Sequence, residues 1–470
     1  MKQLLYISIW FISLNAFSQG EVGYLFEDLP LDSATHNSVK SHSSMKPLIR
    51  QASAKEGNYL GVAGLLDLNY YQKTHAYYKT GMGLELTTHL NNKWYARLAA
   101  VQGFSNMDDQ FAPKTYLYQR PDSSHYLYTD IRSRVSYTPN HVFNFQAGVD
   151  HNFVGQGSRS MLLGDYGKPY PFGMIRARFW RIEYSVLYQF MQEGPADARK
   201  GKFGSSHHIS FNPTKWLNIG VFESVIFKPS DEVTNRGFDV EYLNPLVFYR
   251  PQEYSLGSSD NVIMGLDLSA KWKEHMFYGQ IVFDEFYLAE IRARSGWWAN
   301  KFGGQIGFKG RFGTNNNWFY RLEYNFSRPY TFSHIADDVN YGNQGTPLAH
   351  PYGANFMEIL GEVKWQKDRW LAKAFTNYVL TGDNKDGFNQ GTNIYESYTW
   401  RPDEYNHFIG QGIQRNMFNA VLTGSFMFLK DGRMSAFCEN HFRYNAQDDK
   451  LNYRIVVGIR SMLWNDHRNY

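Results

Sequence analysis

The sequence predicts an all-β protein, a transmembrane antiparallel outer-membrane β-barrel of about eighteen strands. Three observations predict it. Apolar and polar residues alternate in segments of about 10 residues, the length a tilted membrane strand requires. Short and long connections take turns between those segments. Aromatic residues make up 17% of the chain, with 34 Tyr, 35 Phe and 12 Trp, while the mean hydropathy is only −0.50. A barrel explains both compositional features, because lumen-facing polar residues alternate with lipid-facing apolar ones while aromatic girdles gather at the two interfaces. The formal charge of +4, with both signs interspersed, gives no warrant for nucleic acid as a partner.

At the start, Lys2, the apolar run from Leu4 to Leu14 and the small-residue stretch Ala16–Ser18 predict a signal peptide over 1–18, followed by export. That run is too short for a helical span. No later stretch approaches the ~18 to 20 consecutive apolar residues that a helical span needs. The only cysteine, Cys438, makes neither a lipid anchor near residue 18 nor an internal disulfide. Residues 19–58 are polar and Ser-rich without sustained periodicity, which reads as a periplasmic arm, a lumen plug or a disordered segment.

The barrel is expected over 59–470. Its strands are expected at 59–71, 77–90, 94–104, 128–138, 142–152, 173–180, 181–191, 206–213 and 216–227, and then at 259–271, 274–284, 301–312, 317–328, 354–365, 368–380, 413–428, 433–445 and 451–464. In 317–328, Trp318, Tyr320, Leu322, Tyr324 and Phe326 alternate with Phe319, Arg321, Glu323, Asn325 and Ser327. A charge on the lipid face near the midplane costs ~2 to 4 kcal/mol, so Arg321 and Glu323 are expected to face the lumen. Tight links follow every even-numbered strand, among them Asn91–Lys93, Trp180–Arg181 and Gln366–Lys367. Most of the others are long: 105–127, 153–172, 192–205, 228–258, 285–300, 329–353 and 381–412. Short turns therefore gather on one rim, which places both termini in the periplasm and sites such as Gly194 and Asn343 on the cell exterior.

The connection 153–172 is the most distinctive stretch. Gly155, Gly157, Gly164 and Gly167 let a backbone fold tightly against a wall, while Arg159, Asp165 and Lys168 supply charges to lock the loop inside the lumen or to bind a carboxylated sugar. If it folds inward, Asp165 is expected to meet Arg176 and Arg178 on the next strand, because charges withdrawn from water must be paired. Trp297 and Trp298 are candidates for stacking on sugar rings, or for an interfacial girdle.

The run from Gly148 through Gly155, Gly157, Arg159, Leu162, Leu163 and Asp165 to Pro169 and Pro171 resembles the signature of Wzi-type capsule-assembly outer-membrane proteins. Tyr242–Phe248 and Phe283–Lys301 are similar to the Bacteroidota branch named for the gliding-motility protein RemB. The resemblance covers most of the barrel, most clearly 140–310. It implies an eighteen-stranded barrel tied to surface polysaccharide or to gliding motility. The partners expected are therefore outer-membrane lipid, a surface polysaccharide, and components of gliding or secretion machinery.

Catalysis is not expected. Gly157, Ser158 and Met161 do not make a nucleophile elbow, which needs a second glycine after the serine and a strand-turn-helix setting. His207 and His208 face opposite sides of one strand, so they cannot serve one site beside Ser210. Around Asp383 to Gly387, Gly382 and Asn393 occupy the terminal positions where a calcium loop requires Asp and Glu. No cofactor or metal is called for. The rival readings are a general or substrate-specific porin, whose lumen is open, and an outer-membrane barrel hydrolase, for which no Ser/His/Asp set can be assembled.

Overall fold

The computed structural model describes residues 44–46, 58–72, 76–91, 93–106, 117–119, 125–194, 198–229, 242, 260–428 and 434–461. Eighteen antiparallel strands close into one barrel. In chain order they are β1 (Tyr59–Gln72), β2 (Ala76–Leu90), β3 (Trp94–Ser105), β4 (Tyr126–Tyr137), β5 (Phe143–Asp150), β6 (Tyr170–Phe179), β7 (Ile182–Glu193), β8 (Lys200–Phe211) and β9 (Leu217–Phe227). They continue as β10 (Asn261–Trp272), β11 (His275–Glu285), β12 (Lys301–Phe312), β13 (Trp318–Ser327), β14 (Phe356–Lys367), β15 (Trp370–Asp383), β16 (Ile413–Met427), β17 (Met434–Asn445) and β18 (Lys450–Ser461). Each pairs with its chain neighbour, a three-residue piece Leu117–Gln119 lies beside β4, and Asp67–Tyr70 against Val457–Arg460 closes the ring. Among the described residues no helix is long and apolar enough to cross a membrane.

The dyad pattern sets the two faces. In β13, Phe319, Arg321, Glu323, Asn325 and Ser327 are buried toward the lumen, and the alternate positions, Leu322 most of all, face outward. At the short-turn rim, Trp94, Trp180, Trp216, Trp272, Trp318 and Trp370 point outward and are exposed, forming the interfacial girdle that the composition implies. Asn91, Trp180, Lys273 and Asp368 take positive φ of 51° to 53° in these turns, the backbone that tight hairpins require.

Most strand boundaries shift from the sequence reading by up to three residues, and two differences have a clear physical reason. The β14–β15 turn sits at Asp368 and Arg369 rather than at Gln366 and Lys367, because an aspartate tolerates the left-handed position better than a glutamine or lysine. β8 begins at Lys200 rather than at residue 206. Its outer half carries Gly201, Gly204, Ser205 and Ser206, which blur the apolar alternation that a lipid-facing strand displays.

Candidate functional site: the lumenal plug

The connection between β5 and β6 turns into the barrel. Its root is fixed by Arg134 on β4, whose guanidinium donates to Gln146 Oε1 at 2.6 Å and to the His151 carbonyl at 2.8 Å and pairs with Asp150 at 3.4 Å. Phe153 and Val154 then pair antiparallel with Met45 and Lys46, Gly155 N donates to Ser44 O at 2.8 Å, and Arg176 Nη2 donates to Met45 O at 3.2 Å. Ser44–Lys46, out of the polar segment that precedes the barrel, thus lie inside it. The loop closes on itself where Val154 N donates to Leu163 O at 2.9 Å.

The far wall receives the loop with side chains that meet backbone groups. Glu323 on β13 accepts from Ser158 N at 2.8 Å, from Arg159 N at 3.3 Å and from the Tyr278 hydroxyl at 2.8 Å. Gln305 Nε2 donates to Arg159 O at 2.9 Å, and Lys309 Nζ to Gln156 O at 2.7 Å. Gln280 accepts from Met161 N at 2.8 Å and donates to Val154 O at 2.9 Å. Gly157 is required at this contact, since a Cβ there would stand 2.5 Å from Glu323 Oε2. Buried backbone groups need such partners, so the wall is built for this loop.

A second inward connection, between β13 and β14, covers the first. Tyr341 donates to Leu162 O at 2.7 Å, Gly164 N to Leu348 O at 2.7 Å, and Lys168 N to Thr346 Oγ1 at 3.1 Å. Between the two loops and the wall lies a dry core of Met161, Leu162, Leu163, Phe172, Ile263 and Tyr341, among others. Two wall glycines admit it: a Cβ on Gly265 would stand 2.2 Å from Leu162, and one on Gly303 would stand 2.8 Å from Met161.

The predicted residues fall into separate places. Arg159 is buried and its guanidinium stands 3.7 Å from Glu358, which also receives His350 at 2.9 Å and Asn377 at 2.6 Å. Arg176 and Arg178 are both joined to Glu183, with Arg178 and Glu183 directly opposite across the Trp180–Arg181 turn. That pairing takes the place expected of Asp165, which is half-buried and acts electrostatically on His151. Lys168 is half-buried. Burial lowers its ammonium pKa from the usual value, the charge of Arg199 lowers it further, and Glu193 opposes both. Trp297 and Trp298 lie at the long-loop rim beyond the helix α1 (Leu288–Ala293). Trp298 donates to Glu404 at 2.8 Å, with Arg401 stacked 4.1 Å over its ring and Tyr398 at 4.7 Å, so it pins two loops together. Asn343, expected on the exterior, is buried: its side chain accepts from Gln192 N and donates to Lys168 O.

Glu323 was expected to face the lumen but not to anchor the loop, and Gln280, Glu358 and Glu183 were not singled out from the sequence. Inward register was the available signal for the first three, and symmetry about the Trp180–Arg181 turn for Glu183.

No family model matches the chain, and no curated protein matches it. Among solved structures it is similar to Wzi, described as an outer membrane protein involved in group 1 capsule assembly in Escherichia coli and a carbohydrate-binding β-barrel. The TM-score is 0.53 at 13% identity, over 87% of this chain and 84% of that one. The fold is that of an outer-membrane β-barrel. OprD of Pseudomonas aeruginosa aligns with TM-score 0.45 at 9% identity over 91% of this chain and 99% of that chain. OccAB2 of Acinetobacter baumannii aligns with TM-score 0.46 at 8% identity over 87% and 99%. Similarity at these identities speaks to fold and not to activity.

Proposed function

We propose that this protein is a non-enzymatic outer-membrane barrel that associates at its long-loop rim with surface polysaccharide, or with components of gliding or secretion machinery, and does not serve as an open diffusion channel. The observation that carries this reading is the dry core inside the lumen, where Met161, Leu162 and Leu163 are sealed between wall and second loop. A general channel needs water along its axis, whereas an apolar core excludes it. The proposal takes the short-turn rim and both termini as periplasmic and export as signal-directed. Within it, Arg159 of the loop and Arg176 of β6 hold the plug, through Glu358 and the Met45 carbonyl, while Arg178 pairs with Glu183 on the neighbouring strand. Contact with a glycan falls to groups nearer the exterior, namely half-buried Lys168, Asp165 and Trp297.

The porin alternative draws on the remaining lumen wall, where Lys79–Asp67, Arg97–Glu85 and Arg460–Glu439 ion pairs line the inward face. Planar-bilayer conductance separates the two. The purified protein is expected to pass little current, and deletion of 156–168 to raise it several-fold while the barrel keeps its heat-modifiable migration, since the strands retain their own hydrogen-bond ladder. Large conductance from the unmodified protein, with glycan retention and cell spreading unchanged on its removal, would replace this reading with the porin.

A further inference from the structure

The long-loop rim carries an apolar surface that the fold leaves bare. β11 runs from His275 to Glu285, just after the outward Trp272 of the girdle, and a tilted strand crosses the hydrocarbon in ~9 to 11 residues. Phe286 and Tyr287 therefore lie where the membrane ends on the far side. Val282 and Asp284 are buried toward the lumen, so Phe283 faces lipid, and the ring of Phe286 packs on it at 5.2 Å. Tyr287 meets Trp297 edge-on at 6.1 Å, and its N–H donates to Asn300 Oδ1 at 2.7 Å. The outward wall thus continues without a break into the helix α1.

That helix has little of its own to hold it. It spans 6 residues, has no side-chain cap at Tyr287 and buries none of its residues, and a helix this short is unstable in water without packing. Phe286, Tyr287, Leu288 and Ile291 are 48%, 57%, 49% and 37% exposed, much like lipid-facing Phe277 and Leu322 at 52% and 59%. At about 3.6 residues per turn, Leu288, Ile291 and Arg292 share one side of α1 and Glu290 takes the other. Arg292, and Arg294 just past the helix, are exposed, and their side chains form no ion pair or hydrogen bond with another described residue.

We infer that residues 286–294 are a lipid-docking element, whose apolar side chains enter the leaflet at the long-loop rim while Arg292 and Arg294 hold the phosphate of an anionic lipid headgroup. Two observations favour lipid over a protein partner. The Phe283–Phe286 contact joins this surface directly to the lipid-facing wall, and the two cations stand beside the apolar residues at the depth where headgroup phosphates lie. A guanidinium meets phosphate oxygens with forked donors, and its stem lies along apolar surface while the charge stays at the interface. Trp298 ties the same connection to Glu404, so docking also fixes how the rim sits over the membrane. The inference concerns the membrane and stands whether or not the rim binds a glycan.

The test uses the full chain in vesicles of mixed phosphatidylglycerol and phosphatidylcholine. In a Cys438→Ser background, which removes the exposed native thiol, a fluorophore on Leu288→Cys should be quenched several-fold more by phospholipid carrying a nitroxide high on its chain than by aqueous iodide. Quenching mainly by iodide would place α1 in water, protection from both quenchers would place it under a protein, and either result would overturn the inference. Should that variant fail to fold, the unmodified protein with a photoactivatable lipid gives an independent result: adducts are expected on 286–291, and their absence would overturn the inference. For the headgroup, the extracted protein should retain phosphatidylglycerol over phosphatidylcholine in native mass spectrometry. Arg292→Ser with Arg294→Ser should lower that preference several-fold while heat-modifiable migration is kept; an unchanged preference would overturn the assignment of the two arginines. Loss of the preference on adding inorganic phosphate to the unmodified protein would assign them to a soluble anion instead.

Discussion

The two halves of the lumen share one inward register and carry opposite chemistry. From β6 to β14 the inward positions include Phe172, Met174, Leu187, Phe222, Ile226, Ile263 and Val282, all buried in one apolar cluster. Through the closure, from β17 round to β4, the corresponding positions carry Glu439 with Arg460, Asp67 with Lys79, Glu85 with Arg97, and Asp130 with Arg132. The difference follows from what meets the wall. Where a loop returns, apolar surface is removed from water and stabilises by about 25 cal/mol per Å²; on the other half, opposite charges on neighbouring strands, or two positions apart along β4, satisfy one another. A barrel wall therefore needs only alternation to close, and each inward side chain is free to follow its local occupant.

The largest test of this contrast is Glu323→Ala on the plugged side. Glu323 meets Ser158 N, Arg159 N, the Tyr278 hydroxyl and Asn325 Nδ2, so its loss strands several buried donors and should destabilise the plug by about 3 kcal/mol or more. Hydrogen exchange at 156–163 should accelerate while the strand amides stay protected; unchanged protection of that loop would remove Glu323 from the anchoring role. On the charge-lined side, Arg97→Ala should cost about 1 to 2 kcal/mol, because its partner Glu85 keeps some access to solvent. Adding Glu85→Ala should recover part of that cost, and strictly additive losses in thermal unfolding would show that the pair is not coupled.

The smallest expected effect is one of pH. Burial, and then the charge of Arg132, lower the His151 pKa to about 3, so the unfolded chain binds its proton more readily than the folded one. Stability from this group is present above the unfolded value of about 6.5 and falls as pH drops from there toward 3. His151 holds the Gly167 carbonyl at 2.6 Å, so acidification should loosen the loop between them, read as faster exchange at 164–168 at pH 4 than the intrinsic rate predicts. His151→Gln should flatten that dependence; an identical pH profile in the variant would assign it to other groups.

The strand ladder was largely legible because its signal is local. Trp318 to Ser327 announces its two faces by period two, and the burial follows that pattern residue by residue. An inward path for 153–168 is one of two readings that its glycines and charges allow, and the contact of Gly157 with Glu323 shows how the wall receives it. Partner choice was not legible. Arg176 and Arg178 met Glu183, because a two-residue turn sets those side chains side by side at no loop-closure cost, whereas a pairing with Asp165 requires a particular loop path. Asn343 was placed outside because a polar residue in a long connection ordinarily is; here Gln192 and Lys168 satisfy its amide indoors.

By itself the sequence determined the class of fold, the eighteen-strand count, the face each strand residue takes and the rim that carries the short turns. These rest on alternation and turn chemistry, which act between residues a few positions apart. Only the tertiary structure decided that the lumen between β6 and β14 is filled and that Glu323 and Glu358 hold the filling loop. Each of these depends on segments more than a hundred residues apart. No sequence period encodes which of them meet, because that is settled by which buried groups find partners once the barrel has closed.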